Sequence, residues 1–430
     1  MTMTNTGYRP RCLDDVIERH LRAFGAVEVG GTMWSGKTWT SMAHAESMTK
    51  LDSPSVIEVA RADPNSALYG QTPHLIDEWQ EVPAVWDAVR RSVDEQGGKR
   101  GLYLLTGSSR PLKKEEDRPH HTGAGRIARL RMWPMSLFES GDSSGEVSLA
   151  GLFDGKFEPG PEDTDLMRIA HLICRGGWPA ALDLDEKDAK LIPSQYLRAL
   201  IEGVQDDTSR NPDELRRLLR SLARTLGSAA TQSTLAKDTS LTLSSGKPNA
   251  PALEEWLGLL KQRYVIDELK GWDAPIKSPR RLRTKPKRCF ADPSLPAALL
   301  GVSPERLLSE GQTMGQLFEE LCLRDLRVYA SCLEGVGLEP LHYYRDSDGL
   351  EVDAIVELLD GRWGAIEIKL GVNKVPEAVR SLGRLQKKIA NNPAARNPEP
   401  SFMAVIVGKT DLRYKTPEGI CVFPITSLRP

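Results

Sequence analysis

The chain has no C-x-x-C pair. Its six cysteines, Cys12, Cys174, Cys289, Cys322, Cys332 and Cys421, are scattered along it. That argues against a zinc-ribbon spacing and a disulfide framework, and it fits a reducing compartment. No apolar run approaches the ~20 residues that a membrane span needs. Met1 to Pro10 is polar and lacks the apolar region of a secretory leader, so a cytoplasmic location is expected. No excess of charge is present either: 57 Lys and Arg stand against 59 Asp and Glu, a formal net charge of −2. A polyanionic partner must therefore be met by local clusters. No internal repeat is visible. What remains is a 430-residue chain of ordinary globular composition, long enough for about three domains.

The first part alternates apolar runs with helical patterns. Ala26 to Gly30, Ser55 to Ala60, Pro73 to Asp77, Gly101 to Thr106 and Ile127 to Met132 read as strands. Thr38 to Thr49 and Val82 to Asp94 read as helices. Such alternation predicts a parallel sheet covered on both faces. Gly151 to Asp165 is rich in Gly, Asp and Pro and reads as a boundary. Helical patterns follow at Leu166 to Cys174, Pro193 to Gln205, Asp213 to Leu226 and Ala252 to Tyr264, then a strand at Tyr264 to Leu269. Ser240 to Asn249 is a Ser, Gly and Pro-rich break. Helix, turn, helix and strand pair is the pattern of a winged helix. The last part reads as a second α/β domain: helix Met314 to Tyr329, strands Leu341 to Tyr344, Leu350 to Leu358 and Trp363 to Leu370, helix Pro376 to Ile389 and strand Phe402 to Val407.

Gly31-Thr32-Met33-Trp34-Ser35-Gly36-Lys37-Thr38 satisfies G-x-x-x-x-G-K-[ST] between an expected strand and an expected helix. Glycines let backbone N–H groups curl around phosphates, and the following helix points its positive end at them. Lys37 would meet the β- and γ-phosphates, and Thr38 would coordinate Mg²⁺. Gly31, Ser35, Gly36 and Trp39 complete the candidate ATP contacts. His74-Leu75-Ile76-Asp77-Glu78 is an apolar strand ending in two acids. Asp77 suits Mg²⁺, and Glu78 suits orientation and deprotonation of the attacking water. Thr106, at the end of the next strand, is the candidate γ-phosphate sensor, with Ser108 as the alternative. Arg126 follows as the candidate trans-acting arginine of a homo-oligomer, with Arg129 and Arg131 as competitors.

Together with Tyr8-Arg9-Pro10-Arg11, Leu75-Ile76-Asp77-Glu78-Trp79-Gln80, Leu105-Thr106-Gly107-Ser108-Ser109 and Trp133-Pro134-Met135-Ser136-Leu137, these motifs resemble one family. It comprises prokaryotic AAA-type P-loop ATPases with a C-terminal domain of unknown function. Arg175-Gly176-Gly177-Trp178-Pro179 and Gly315-Gln316-Leu317-Phe318-Glu319 extend the resemblance over nearly the whole chain. It implies ATP and Mg²⁺ as cofactors, a winged-helix segment and a C-terminal domain similar to PD-(D/E)XK nucleases. The expected fold is α/β throughout. A P-loop ATPase core spans 1–155, a helical lid 156–210, a winged helix with a basic segment 211–289, and a restriction-endonuclease-like domain 290–430.

The residues of that last domain carry an argument of their own. If Leu359-Asp360-Gly361 forms a three-residue hairpin loop with Gly361 left-handed, paired positions sum to 720. Asp353 then faces Glu367 on one side of the sheet, with Cβ atoms ~5 Å apart, and Lys369 shares that face. A two-residue loop would put the two acids on opposite faces. Asp353 followed by Glu367-x-Lys369 resembles the PD-(D/E)XK signature, and Glu319 matches the family's helix glutamate. A cross-strand ion pair of Glu351 with Lys369 on a solvated hairpin stays open as the alternative.

Arg217, Arg220 and Arg224 form a stripe on one helix. Lys277, Arg280, Arg281, Arg283, Lys285, Lys287 and Arg288 form an acid-free run. Both suit DNA phosphates, through backbone contacts rather than base readout. Three readings follow: an ATP-driven machine acting on DNA, a nucleotide-controlled switch that binds protein, and an ATP-regulated Mg²⁺-dependent nuclease.

Overall fold

Short, buried, largely apolar runs make the centre of the first sheet. In the computed structural model, which describes residues 7–109, 119, 121–207, 211–227, 232–239 and 249–430, five parallel strands lie in the order β2-β3-β4-β1-β5. They are β1 (Ala26–Gly31), β2 (Ser47–Lys50), β3 (His74–Asp77), β4 (Tyr103–Gly107) and β5 (Ile127–Met132). Every residue of β1, β3 and β4 is buried, as strands covered on both faces require. The core on one face holds Trp79, Val85, Trp86, Val89 and Tyr103, with the two tryptophan rings 4.8 Å apart.

Two expectations in this sheet are corrected. Ser55 to Ala60, expected as a strand, belongs to the helix Pro54–Ala62. Proline at its first turn pre-sets a helical start, which outweighs the β-branched Val56, Ile57 and Val59. The strand in that position is β2, read from sequence as the end of a longer helix. The helix after the P-loop stops at Ala43, and β2 (Ser-Met-Thr-Lys) is a half-exposed edge strand with no apolar run to reveal it.

By its contacts the chain divides into two units. One comprises 1–134 with 257–265, and the other 135–256 with 266–430. The second is built on a nine-stranded mixed sheet in the order β7-β14-β15-β13-β12-β11-β10-β8-β9. Its strands are β7 (Gly160–Pro161), β8 (Ile266–Gly271), β9 (Lys287–Phe290), β10 (His342–Arg345), β11 (Glu351–Glu357), β12 (Trp363–Gly371), β13 (Phe402–Lys409), β14 (Leu412–Lys415) and β15 (Cys421–Pro424). A separate pair joins β6 (Val147–Ser148) to β16 (Leu428–Arg429). The helix Val375–Ala390 buries Leu382, Leu385 and Ile389 against Trp363, Val405 and Val422.

This division does not follow the boundaries expected at 155, 210 and 289. The helices Pro212–Arg224, Gln232–Thr239 and Ala250–Gln262 are followed by the antiparallel pair β8–β9, which is the element order of a winged helix. That pair is not a free wing: β8 also runs parallel to β10, so the pair forms one edge of the nine-stranded sheet. The Ser, Gly and Pro-rich break at 240–248 lies outside the described residues.

A buried ion cluster explains two motifs of this unit. Arg324, on the helix Gly311–Cys332, donates to Asp292 at 2.8 Å and to Asp325 at 2.6 Å, all three nearly inaccessible. Asp292 also accepts the Gly177 N–H, and Asp325 accepts the Leu137 N–H, both at 3.0 Å. Trp178 donates its indole N–H to Ser294 at 2.9 Å. The Gly176-Gly177-Trp178 and Met135-Ser136-Leu137 segments are thereby fixed to one central helix. Among the described residues no helix is long and apolar enough to cross a membrane.

Candidate functional site

The parallel register brings the candidate nucleotide residues to one end of the first sheet. β1 runs into the P-loop and the helix Lys37–Ala43, with Gly36 left-handed at φ +95°, a conformation costly to any residue with a Cβ. Arg11 is buried and secures the loop. Its guanidinium donates to the Ser35 carbonyl at 2.9 Å and to the Trp133 carbonyl at 2.8 Å. Nothing in the sequence marked Arg11 for this task beyond its motif. Ser35 Oγ donates to the Thr32 carbonyl at 2.9 Å, inside the loop. Lys37 Nζ folds back on that same carbonyl at 2.8 Å. Burial pushes the Lys37 ammonium down to about 8, with the Glu78 and Asp77 charges opposing the shift. A buried cation whose one hydrogen bond among the described residues is to a carbonyl fits an anionic ligand at the loop.

β3 adjoins β4, and β4 adjoins β1, so the strand bearing Thr106 lies between the two acids and the P-loop. Thr38 Oγ1 donates to Asp77 Oδ1 at 2.9 Å, and the Thr106 hydroxyl also donates to Asp77. Burial raises the Asp77 carboxyl despite both hydrogen bonds. A hydroxyl and a buried carboxylate in contact beside a P-loop form the donor set that Mg²⁺ with a phosphate prefers. Glu78 follows in a left-handed turn, φ +57°. Its N–H reaches Thr106 Oγ1 at 3.4 Å, and its carboxylate accepts from Ser108 Oγ at 3.2 Å and from Gln80 Nε2. Thr106 and Ser108 therefore divide the acids between them: Thr106 holds Asp77, Ser108 holds Glu78. Trp39 is about half exposed, at 48%, beside the loop.

Arg126 lies away from the P-loop of its own chain. It precedes β5, whose Ile127 pairs with Ala26 and whose Met132 pairs with Gly31, so Arg126 sits at the far end of the sheet from the P-loop. There it pairs with Asp94 at 2.7 Å. It cannot reach phosphates bound by its own chain. Arg131, level with Gly30, is the β5 arginine at the phosphate end. Its guanidinium stacks 4.1 Å from the Tyr264 ring, donates to the Tyr264 carbonyl at 3.0 Å, and its charge acts on Lys37. Arg129 pairs with the buried Glu28 at 3.3 Å.

In the second unit, β11 and β12 pair from Glu357 with Trp363 to Ala354 with Ile366, a constant sum of 720. The Leu359-Asp360-Gly361 loop has Gly361 left-handed at φ +87°, as the three-residue reading requires. Asp353 and Glu367 consequently share a face. Lys369 Nζ bridges them, 3.4 Å from Asp353 Oδ2 and 2.5 Å from Glu367 Oε2, and the Ile368 N–H donates to Asp353 at 2.8 Å. The expected alternative partner of Lys369 is engaged elsewhere. Glu351 meets Lys287 at 2.5 Å, and Lys287 also meets Glu319 at 3.2 Å. Burial pushes the Glu319 carboxyl up to about 7, with Asp353 adding and Lys287 opposing. Burial likewise pushes Glu367 up to about 8, with Asp353 adding and Lys369 opposing. For Lys287 burial opposes ionisation, yet Glu319, Asp353 and Glu351 together raise it. Among the described residues no three His, Cys, Asp or Glu side chains converge as a metal site.

The basic residues separate into two kinds. Arg217, Arg220 and Arg224 lie exposed along the helix Pro212–Arg224, opposite the buried Leu215, Leu218, Leu219 and Leu222. Arg224 pairs with Asp238. Between β8 and β9, Lys277, Arg280, Arg283 and Lys285 are exposed, and among the described residues none forms an ion pair. Arg281 and Lys287 are corrected as surface contacts. Arg281 makes a two-pronged pair with Glu357 at 2.7 and 2.8 Å, and Lys287 is 3% exposed.

Comparison with known proteins gives three regional likenesses. Residues 25–140 match the family model described as an AAA domain. Residues 167–306 and 314–428 match two models each described as a domain of unknown function, DUF8612 and DUF4143. No curated protein matches the chain. Among solved structures, a Walker-type ATPase of Pyrococcus abyssi is 12% identical at TM-score 0.44, covering 70% of this chain and 98% of that one. The replication initiator DnaA, bound to AMPPCP and single-stranded DNA, is 10% identical at TM-score 0.27, covering 58% of this chain and 86% of that one. The Hef helicase domain of Pyrococcus furiosus is 12% identical at TM-score 0.20, covering 94% and 90%.

Proposed function

We propose that this chain is an AAA-type ATP hydrolase whose turnover is coupled to DNA. One observation carries the first half: Lys37, Thr38, Asp77, Glu78 and Thr106 stand together at the ends of three adjacent parallel strands. Lys37 pairs with the β- and γ-phosphates. Thr38 and Asp77 would hold Mg²⁺, which would supply neutralising charge to the nucleotide. Glu78 orients a water in line with the γ-phosphate and takes its proton. Thr106, hydrogen-bonded to the Asp77 carboxylate and to the Glu78 backbone N–H, reports the state of the γ-phosphate to them.

The DNA half is supported by the exposed arginine stripe and by the basic segment between β8 and β9, acid-free from Lys277 onward, where Ile276 and Leu282 stand 76% and 90% exposed beside the cations. Exposed Lys and Arg suit phosphates, and apolar side chains among them suit the sugar and base surface behind. Oligomerisation through Arg126 belongs to the same proposal, since that arginine can serve only a neighbouring copy.

The test is steady-state ATP hydrolysis by wild type and Glu78→Gln, with duplex, forked or single-stranded DNA and without any. Hydrolysis that one DNA form raises several-fold, and that Glu78→Gln removes, is the expected result. Turnover lost in Glu78→Gln yet indifferent to every DNA would leave the ATPase standing and move the partner to a protein.

A further inference from the structure

The nuclease-like resemblance implies a divalent metal among Glu319, Asp353 and Glu367, and the side chains present do not fit one. Mg²⁺ demands several oxygen ligands at ~2.0–2.1 Å in near-octahedral order. Here one oxygen of each of these carboxylates is already held by an ammonium group. Lys369 takes Asp353 and Glu367, as its place in the signature allows. Lys287 is the addition. It arrives from β9, outside the signature altogether, and takes Glu319 and Glu351.

Lys287 is not a surface lysine that can swing away. It is 3% exposed, its backbone pairs with Leu269 in the β8–β9 ladder, and its ammonium lies 5.2 Å from the Tyr343 ring. An ammonium buried this deeply is tolerable only while its carboxylates stay with it. A metal entering the cluster would compete with Lys287 for Glu319 and sit beside a fixed positive charge. Both the competition and the charge act against binding.

We infer that the Lys287 ammonium is the resident cation of this carboxylate cluster, and that the cluster neither takes a divalent metal nor cuts DNA. The nuclease-like fold then serves as a binding module whose acidic centre is neutralised from within.

The experiment uses the full chain without nucleotide, with Mn²⁺ as the probe, read by electron paramagnetic resonance and by thermal unfolding. Wild type and Asp353→Asn should bind Mn²⁺ alike, and neither should cleave DNA in Mg²⁺ or Mn²⁺. Lys287→Gln, which removes the charge and keeps a polar side chain, should gain Mn²⁺ affinity by about tenfold or more. Adding Asp353→Asn to it should abolish the gain. Mn²⁺ should raise the unfolding temperature of Lys287→Gln and leave that of wild type unchanged. If Lys287→Gln does not fold, the wild-type pair still decides. Mn²⁺ binding or DNA cleavage by wild type that Asp353→Asn removes would overturn the inference, as would a folded Lys287→Gln that gains no Mn²⁺.

Discussion

Lys37 holds a charge that its surroundings do not favour while no anion is bound. Burial pushes its ammonium down to about 8 from the ordinary 10.5, and a bound polyphosphate would restore it. The sign of the resulting pH dependence follows. Below about pH 8 the lysine is charged before ATP arrives. Above it, binding must first capture a proton, so affinity should fall as pH rises from 7 to 9.5, approaching tenfold per pH unit. Stability of the unliganded protein has the opposite sign in this term. Between about 8 and 10.5 the unfolded chain keeps the Lys37 proton that the folded protein has lost, so this contribution to stability rises with pH. Titration with a fluorescent ATP analogue at pH 7, 8 and 9.5 measures the first effect. Lys37→Ala should weaken binding by roughly 10- to 150-fold, the worth of one charged hydrogen bond of ~1.5–3 kcal/mol, and should flatten the pH dependence. An affinity that stays constant across this range in wild type would show that burial does not lower the Lys37 ammonium, and a Lys37→Ala variant that binds as wild type does would show that Lys37 does not meet the phosphates.

At the scale of elements, the helix Gly311–Cys332 organises the second unit through Arg324. Arg324→Ala would leave Asp292 and Asp325, both 0% exposed, without their cation. Breaking a buried ion group by removing one member costs on the order of 3–5 kcal/mol, so the denaturant midpoint should fall steeply. Adding Asp292→Asn and Asp325→Asn should recover part of that loss, which a simple cavity at Arg324 would not allow. This cluster also marks where sequence reasoning stops. The β1, β3 and β4 strands were legible because each is a fully buried, mostly apolar run, and the β11–β12 register followed from loop length and one glycine. The P-loop and its acids were legible because phosphate chemistry fixes both residue type and spacing. The edge strand β2 carried no pattern, since half-exposed polar residues pair by backbone alone. Lys287 and Arg281 read as part of a surface charge run because a linear run says nothing of which members turn inward. Their partners Glu319, Glu351 and Glu357 are 32, 64 and 76 residues away.

For the whole molecule, a net charge of −2 gives no general attraction to nucleic acid, so any affinity for DNA must come from the few exposed cations. Each phosphate neutralised releases counterions and contributes ~0.9 to the slope of log K against log salt on duplex DNA. That makes the slope a count of contacts. Replacing Arg283 and Lys285 by Ala together should reduce it by about 2, with affinity falling uniformly across sequences because such contacts read no bases. Arg281→Ala behaves differently under the same assignment. It should leave the slope nearly unchanged and lower stability, because it deprives Glu357 of its two-pronged partner rather than DNA of a cation. Fluorescence anisotropy with one duplex at four salt concentrations distinguishes these outcomes. A slope unmoved by the Arg283 and Lys285 replacements would remove the tip from the interface and leave the stripe of Arg217, Arg220 and Arg224 as its remaining basis. A slope near zero in wild type would remove DNA itself, and the ATPase would then have to act on a partner that its charges do not describe.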